Sequence, residues 1–192
     1  MTRIAIVYHS GYGHTARQAQ AVLAGAASLP GSDARLYPVG ELDDAKWAEL
    51  DAADAIVFGA PTYMGSASAP FKAFMDASSK AWFTQKWKNK IAGGFTNSAS
   101  MNGDKLNTLV QFAVFAAQHG MIWASVGLPP SNASGAQRGD TNYLGSYLGA
   151  MAQSPSDAGA DVAPPAGDLE TARLYGRRIA DLAQQLVRGR AA

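Results

Sequence analysis

Ser10-Gly11-Tyr12-Gly13-His14-Thr15 is a stretch of this chain suited to hold an anion. Its glycines let the backbone turn tightly with N–H groups converging, and a helical period opening at Thr15 adds the partial positive charge of a helix N-terminus. The Ser10 and Thr15 hydroxyls can donate to phosphate oxygens. The loop contains no Lys or Arg, so it would neutralise a phosphate with dipoles alone. Gly11, Gly13 and Ala16 also satisfy the dinucleotide pattern G-x-G-x-x-A. That site wants an acidic residue at the end of the second strand to meet a ribose, and Tyr37-Pro38-Val39 stands there instead. The Gly-Lys-Ser/Thr ending of a triphosphate loop is absent too. Hydroxyls at both ends of the loop fit a terminal monophosphate better than either.

Two further loops carry compatible chemistry. Pro61-Thr62-Tyr63-Met64-Gly65-Ser66-Ala67-Ser68-Ala69-Pro70 sets an aromatic beside a thioether in a Gly-Ser loop, which offers a flat ligand a stacking face and polar backbone at its edge. Thr96-Asn97-Ser98-Ala99-Ser100-Met101-Asn102-Gly103-Asp104 is polar and small enough to wrap a ligand edge, although Asp104 as a helix N-cap explains much of that composition. His119 precedes Gly120, the arrangement of an ordinary helix C-terminus, where the dipole favours a histidine and glycine supplies the left-handed cap. Trp82, Phe83 and Trp87 form an aromatic cluster of the kind found in a core or subunit interface. No carboxylate pair, Ser-His-Asp set or metal-spaced histidine cluster accompanies these loops, so hydrolytic and metal chemistry have no candidates.

These loops must be held by strands and helices. Ile4 to Tyr8, Ala53 to Ala60 and Met121 to Val126 are nearly continuous apolar runs, which reads as strands buried on both faces. Ala34 to Val39 and Lys90 to Thr96 are weaker strands. Between them Thr15 to Ser28, Ala69 to Ser78, Asp104 to His119 and Leu169 to Val187 have helical period. In the last, Ala172, Tyr175, Ile179, Leu182 and Leu186 fall on one stripe, behind Asp168 as N-cap. Alternating strands and helices predict an α/β doubly wound sheet of five parallel strands in the order 2-1-3-4-5, with helices on both faces. The ligand site of such a sheet lies at the C-terminal ends of strands 1, 3 and 4, where the three loops fall. From Leu128 to Gly167 the chain is rich in Gly, Ser, Pro, Asn and Ala, an excursion too long for a plain connector.

The chain has 192 residues with no cysteine, so one domain is expected over 1–192 and any redox chemistry must come from a borrowed cofactor. A formal net charge of +1 gives no electrostatic footprint for nucleic acid and no acidic docking face. No apolar run approaches a membrane span and none resembles a signal peptide, so a cytoplasmic protein without a membrane partner is expected.

The phosphate-type loop together with Pro61-Thr62-Tyr63-Met64-Gly65 resembles the FMN phosphate and isoalloxazine loops of the flavodoxin-like superfamily. Asp76, Ala81-Trp82, His119-Gly120-Met121, Arg138-Gly139 and Tyr143 bring the resemblance closer to the WrbA-type NAD(P)H:quinone oxidoreductases, over nearly the whole chain. It implies noncovalent FMN, held at its phosphate by Ser10, Gly11, Tyr12, Gly13, His14 and Thr15. Along the ring it implies Pro61, Thr62, Tyr63, Met64 and Gly65, and likewise Asn97, Ser98, Ala99, Ser100, Met101 and Asn102. His119 would reach FMN, Tyr12 the nicotinamide, and Trp82 would line a quinone pocket. The implied reaction is hydride transfer from NAD(P)H to FMN and then two electrons to a quinone, in a homodimer or homotetramer. The alternative is a flavodoxin-type carrier with no substrate of its own. The chain departs from the quinone reductases at Tyr63, where they usually have Arg, and in the loop from Thr96, which lacks their run of glycines.

Overall fold

The structure is a computed structural model and describes residues 1–191. Strands β1 (Thr2–Tyr8), β2 (Ser32–Pro38), β3 (Ala55–Tyr63), β4 (Ser66–Ala67), β5 (Ile91–Ser98), β6 (Ile122–Trp123) and β7 (Ala150–Gln153) form one sheet. It is flanked by α1 (His14–Ala27), α2 (Asp44–Ala52), α3 (Ala69–Ala77), α4 (Ser79–Phe83), α5 (Lys105–Gln118) and α6 (Ala166–Ala191). The main path β2-β1-β3-β5-β6 is parallel throughout.

The doubly wound parallel sheet is as the alternation of elements requires, but the expected five strands become seven. One addition is β4, which folds back antiparallel on the end of β3 through Met64 and Gly65, both at positive φ. That two-residue mirror-image turn is the hairpin type that matches strand twist, and Met-Gly is not among its usual sequences. The other change splits the fifth position. β6 pairs only with Ile91 and Ala92, whereas β7 pairs with Phe95 to Ser98 further along the same strand. The expected Met121 to Val126 strand is cut short because the chain leaves the sheet, through Gly127 at φ 68° and Pro129-Pro130, and rejoins it only at Ala150.

β3 is buried from Ala55 to Thr62 and β5 from Ile91 to Asn97, as nearly continuous apolar runs demand. Alternate residues feed two cores. Ile56, Phe58 and Ala60 pack with Phe71, Phe74, Trp87, Phe112 and Phe115 on one face. Ala55 and Val57 pack with Val22, Tyr175 and Ile179 on the other. In α6, Ala172, Tyr175 and Ile179 are fully buried while Leu182 and Leu186 complete the stripe from its margin. Tyr175 is tied twice, its hydroxyl donating to Ala124 O at 2.6 Å and accepting from Gly94 N at 3.1 Å.

Two expected caps differ. Asp104 precedes α5 in the left-handed region at φ 54° and makes no side-chain capping bond. Asp168 lies inside the first turn of α6, which begins at Ala166, and its carboxylate is taken by Arg138. The short helices α2 and α4 carry too little periodicity to read from sequence, although Asp43 caps α2 by accepting from Lys46 N at 2.8 Å. Among the described residues no helix is long and apolar enough to cross a membrane.

Candidate functional site

A cavity of about 750 Å³ opens at the C-terminal ends of β1, β3 and β5. From the loop after β1 come Gly11, Tyr12, His14 and Thr15; from the end of β3 and its hairpin, Pro61 to Gly65; from the loop after β5, Asn97 to Ser100 with Gly103. None of the described side chains lining it is acidic, and no group of three or more metal-ligating side chains occurs among the described residues.

The β1 loop is built as a cradle. Ser10 Oγ accepts from Gly13 N and from Ala16 N, each at 3.1 Å. With both its acceptor positions used, the Ser10 hydroxyl is left with its proton, and can only donate to a further partner. Gly13, immediately before α1, has φ 89°, a conformation that side chains with a Cβ strongly resist, and a Cβ there would come within 2.9 Å of Ala160. At Gly11 a Cβ would lie 2.6 Å from the Tyr63 hydroxyl, so a side chain there would push the tyrosine ring aside. Tyr63 therefore leans over the loop, edge-on to Tyr12 with ring centroids 6.5 Å apart. Tyr12 is 79% exposed and Met64 entirely so, which puts both on the rim.

Behind the rim the polar side chains are fixed. Thr62 Oγ1 lies 2.8 Å from both Thr96 Oγ1 and Thr108 Oγ1, and Thr96 donates to Ala60 O at 2.7 Å. The proton order consistent with that last bond runs Thr108 to Thr62 to Thr96, so Thr62 has no proton to offer a ligand. Asn97 is buried, its side-chain oxygen accepting from Ser154 Oγ at 2.9 Å.

A fourth wall, which sequence reasoning did not include, comes from the excursion: Ser154, Pro155, Ser156, Ala158 and Gly159. Ser154 N donates to Ser98 O at 3.0 Å. His14 Nε2 donates to Ala158 O at 2.8 Å, and the Arg17 guanidinium to Ala160 O and Asp161 O. His14 thus borders the cavity while its ring holds the strap. The segment's Gly-Ser-Pro composition read as loop, and nothing local to it signals these long-range bonds.

Not every expected site residue lines this cavity: in the β1 loop Ser10 and Gly13 do not, and Ser10 instead braces the loop through Gly13 N and Ala16 N. Met101 and Asn102 belong to the β5 loop but do not line it, and Met101 is half exposed. Trp82 and His119 border a different cleft, about 770 Å³, between α3, α4 and α5. His119 is buried there, stacked on Trp87 with centroids 4.4 Å apart. Ser78 Oγ donates to Met75 O and so accepts from His119 Nε2, while the buried Nδ1 has no partner among the described residues. Burial pushes this histidine's pKa down to about 4, so the ring is neutral. The aromatic cluster divides: Trp87 is core, whereas Trp82 and Phe83 are exposed. A third hollow, at the opposite edge of the sheet, is filled by groups that satisfy one another, with Tyr37 donating to Glu49 at 2.7 Å.

A parallel doubly wound sheet whose strand ends carry a tight, uncharged Gly-rich loop opening a helix and a slot edged with aromatic and small polar residues defines the flavodoxin-like class. Comparison with known proteins narrows this further: residues 12–130 match the model of the NADPH-dependent FMN reductases, and the chain belongs to that family. It is 52% identical to flavodoxin FldP of Pseudomonas aeruginosa, covering 97% of this chain and 99% of that protein. It is 36% identical to an NAD(P)H dehydrogenase (quinone) of Solidesulfovibrio magneticus, over 95% and 98% of the two chains. Among solved structures, a WrbA-like flavodoxin from Agrobacterium tumefaciens superposes with TM-score 0.77 at 48% identity, over 96% of this chain and 99% of that one.

Proposed function

We propose that the chain acts as one unit that binds FMN noncovalently in the 750 Å³ cavity and serves as an NAD(P)H-dependent oxidoreductase with a quinone or similar small acceptor. The observation that carries the reading is the cradle: Ser10 Oγ is saturated as an acceptor by Gly13 N and Ala16 N and keeps only its proton to offer, within the loop whose Gly11, Tyr12, His14 and Thr15 line the cavity. Beside it lie the α1 N-terminus and a lining without acidic side chains. That donor set fits a phosphate dianion, and the cavity volume suits a ligand of cofactor size.

Bound FMN would supply the chemistry, taking hydride at its N5 and passing two electrons onward. The protein's share is orientation. Ser10 and the amides of Gly11, Tyr12, His14 and Thr15 hold the phosphate, the Gly13 amide being committed to Ser10. Pro61 to Gly65 line one side of the ring and Asn97 to Ser100 the other, with Tyr12 on the rim where a nicotinamide would enter. The strap at Ser154 to Gly159 narrows water's access from the fourth side. Trp82 and His119 lie in the other cleft of their own chain, so any part they take in a quinone pocket is at a neighbouring subunit's cavity, in a homodimer or homotetramer.

A second reading, a one-electron carrier, is favoured by the name of the 52% identical relative. Anaerobic mixing of the FMN-loaded protein with NADH or NADPH separates the two. Rapid bleaching of the flavin, reversed by added quinone, is expected of the oxidoreductase. A flavin that keeps its colour with both nucleotides refutes it.

A further inference from the structure

Lys105 is the first residue of α5 and is completely buried. Its ammonium donates to Ser98 Oγ at 2.9 Å, Ser100 O at 2.6 Å and Met101 O at 3.0 Å, all neutral acceptors. Asp168, the carboxylate whose field reaches it, is occupied by Arg138 at 2.6 and 2.7 Å and forms no ion pair with the lysine. Three features of this placement are unfavourable. The charge is desolvated, it has no counter-ion, and it sits in the first turn of a helix, where the macrodipole repels a cation. Burial lowers its pKa to about 8, which still leaves it charged at neutral pH. Among the described residues no carboxylate pairs with it directly, and the field of Asp168 that reaches it is offset by that of Arg138.

The cavity lies on the other side of its partners. Ser98 and Ser100 both line it, so Lys105 stands directly behind the wall that the β5 loop makes. By drawing the Ser100 and Met101 carbonyls inward, it turns the following N–H groups of Met101 and Asn102 the opposite way, since C=O and N–H are antiparallel across a trans peptide. No backbone carbonyl takes either N–H among the described residues. Gly103 and Asp104, both left-handed, let the chain double back from this loop into the helix.

We propose that Lys105 is a positioning residue for the flavin. It fixes the loop from Ser98 to Gly103 and places an uncompensated positive charge behind the cavity wall, so that two-electron-reduced flavin is held more tightly than oxidised flavin. The inference rests on the FMN reading above. Hydride from NAD(P)H brings two electrons and one proton into a neutral ring and leaves the oxidised nicotinamide. The ring then carries one negative charge, and Lys105 supplies the counter-charge from directly behind the wall that Ser98 and Ser100 make.

The test is the two-electron midpoint potential of bound FMN, together with the Kd of oxidised FMN for the apoprotein, in wild type and in Lys105→Gln and Lys105→Met. Removing a nearby opposite charge should lower the ratio of reduced to oxidised affinity by about tenfold or more. For a two-electron couple each tenfold is a fall of about 30 mV. Oxidised FMN should change affinity by much less than that in Lys105→Gln. A loop-holding role alone would weaken both redox states equally and leave the potential at the wild-type value, which overturns the proposal while leaving the FMN site intact. A wild-type chain that takes up no FMN overturns both readings. If neither lysine variant folds, Ser98→Ala gives the same readout at a partly buried position: a fall of about threefold is expected, and an unchanged potential refutes the role.

Discussion

Replacing Arg138 by Met tests whether the excursion is a fixed part of the fold or a loosely draped loop. Arg138 makes two parallel bonds to Asp168, 2.7 and 2.6 Å, and that carboxylate is almost wholly buried with one further donor, Gln153 N at 2.8 Å. The variant strands a buried charge on a single hydrogen bond. Removing one partner of a fully buried pair costs about 3–5 kcal/mol. Here the arginine side chain is itself 28% exposed, so water can reach the abandoned carboxylate and the expected cost falls to about 2–3 kcal/mol. In a chain of this length each kcal/mol moves Tm by about 2–4 °C, so a decrease of about 4–12 °C is expected in a thermal melt followed by circular dichroism. Asp168→Asn alone should be milder, because an amide oxygen still accepts from Gln153 and the charge left unpaired is the arginine's, which water reaches. The double variant Arg138→Met with Asp168→Leu should recover part of the loss, since it removes the stranded carboxylate. A drop below about 2 °C in Arg138→Met, or a double variant that melts at the sum of the single losses, would show that the pair is solvated and that the excursion is not anchored here.

Two further outcomes are expected. Gly13→Val places a β-branched residue at φ 89° against Ala160; it should purify without bound flavin and lose about 2 kcal/mol of stability in urea, and a variant that still purifies yellow refutes the cradle. His119 has a folded pKa of about 4 against 6.5 when free, so the unfolded chain takes up its proton first as pH falls. Stability should be full above pH 6.5 and decline between pH 6.5 and about 4, by up to about 3 kcal/mol; His119→Gln should flatten that part of the urea-stability profile, and an unaltered slope would show that the ring is not held neutral.

Much of the fold was legible because β3 and β5 are buried on both faces, which writes itself into sequence as unbroken apolar runs. The stripe from Ala172 to Leu186 was legible for the matching reason, being one face of a long helix. What could not be read depends on partners distant in the chain. Asp168 has every local mark of an N-cap, yet its carboxylate answers to Arg138 thirty positions away in a stretch with no periodicity. β7 is a four-residue strand whose identity comes from pairing with β5, not from its own composition. The Met64-Gly65 turn escaped because methionine seldom takes positive φ.

The same division runs through the candidate site. The three strand-end loops could be found from their residues because a cradle needs glycine and hydroxyls in adjacent positions, a local requirement. Trp82 and His119 satisfy no such local requirement, and the structure puts them across α5 from the cavity, with Asn107 bonded to Gly65 O between the two clefts. Lys105 shows the converse. In sequence it is an unremarked lysine at the start of a helix, where an exposed, mobile side chain is the ordinary expectation. Only the fold reveals that three neutral oxygens enclose it and that Arg138 has already claimed Asp168. The Arg138 and Lys105 variants therefore examine one arrangement from two sides. If Asp168 were released by Arg138→Met, the field of its unpaired charge would reach Lys105 no longer offset by the arginine, and the flavin potential should fall in that variant as well as the melting temperature. A variant that melts lower with no change in potential would show that the charge behind the wall is insensitive to this carboxylate.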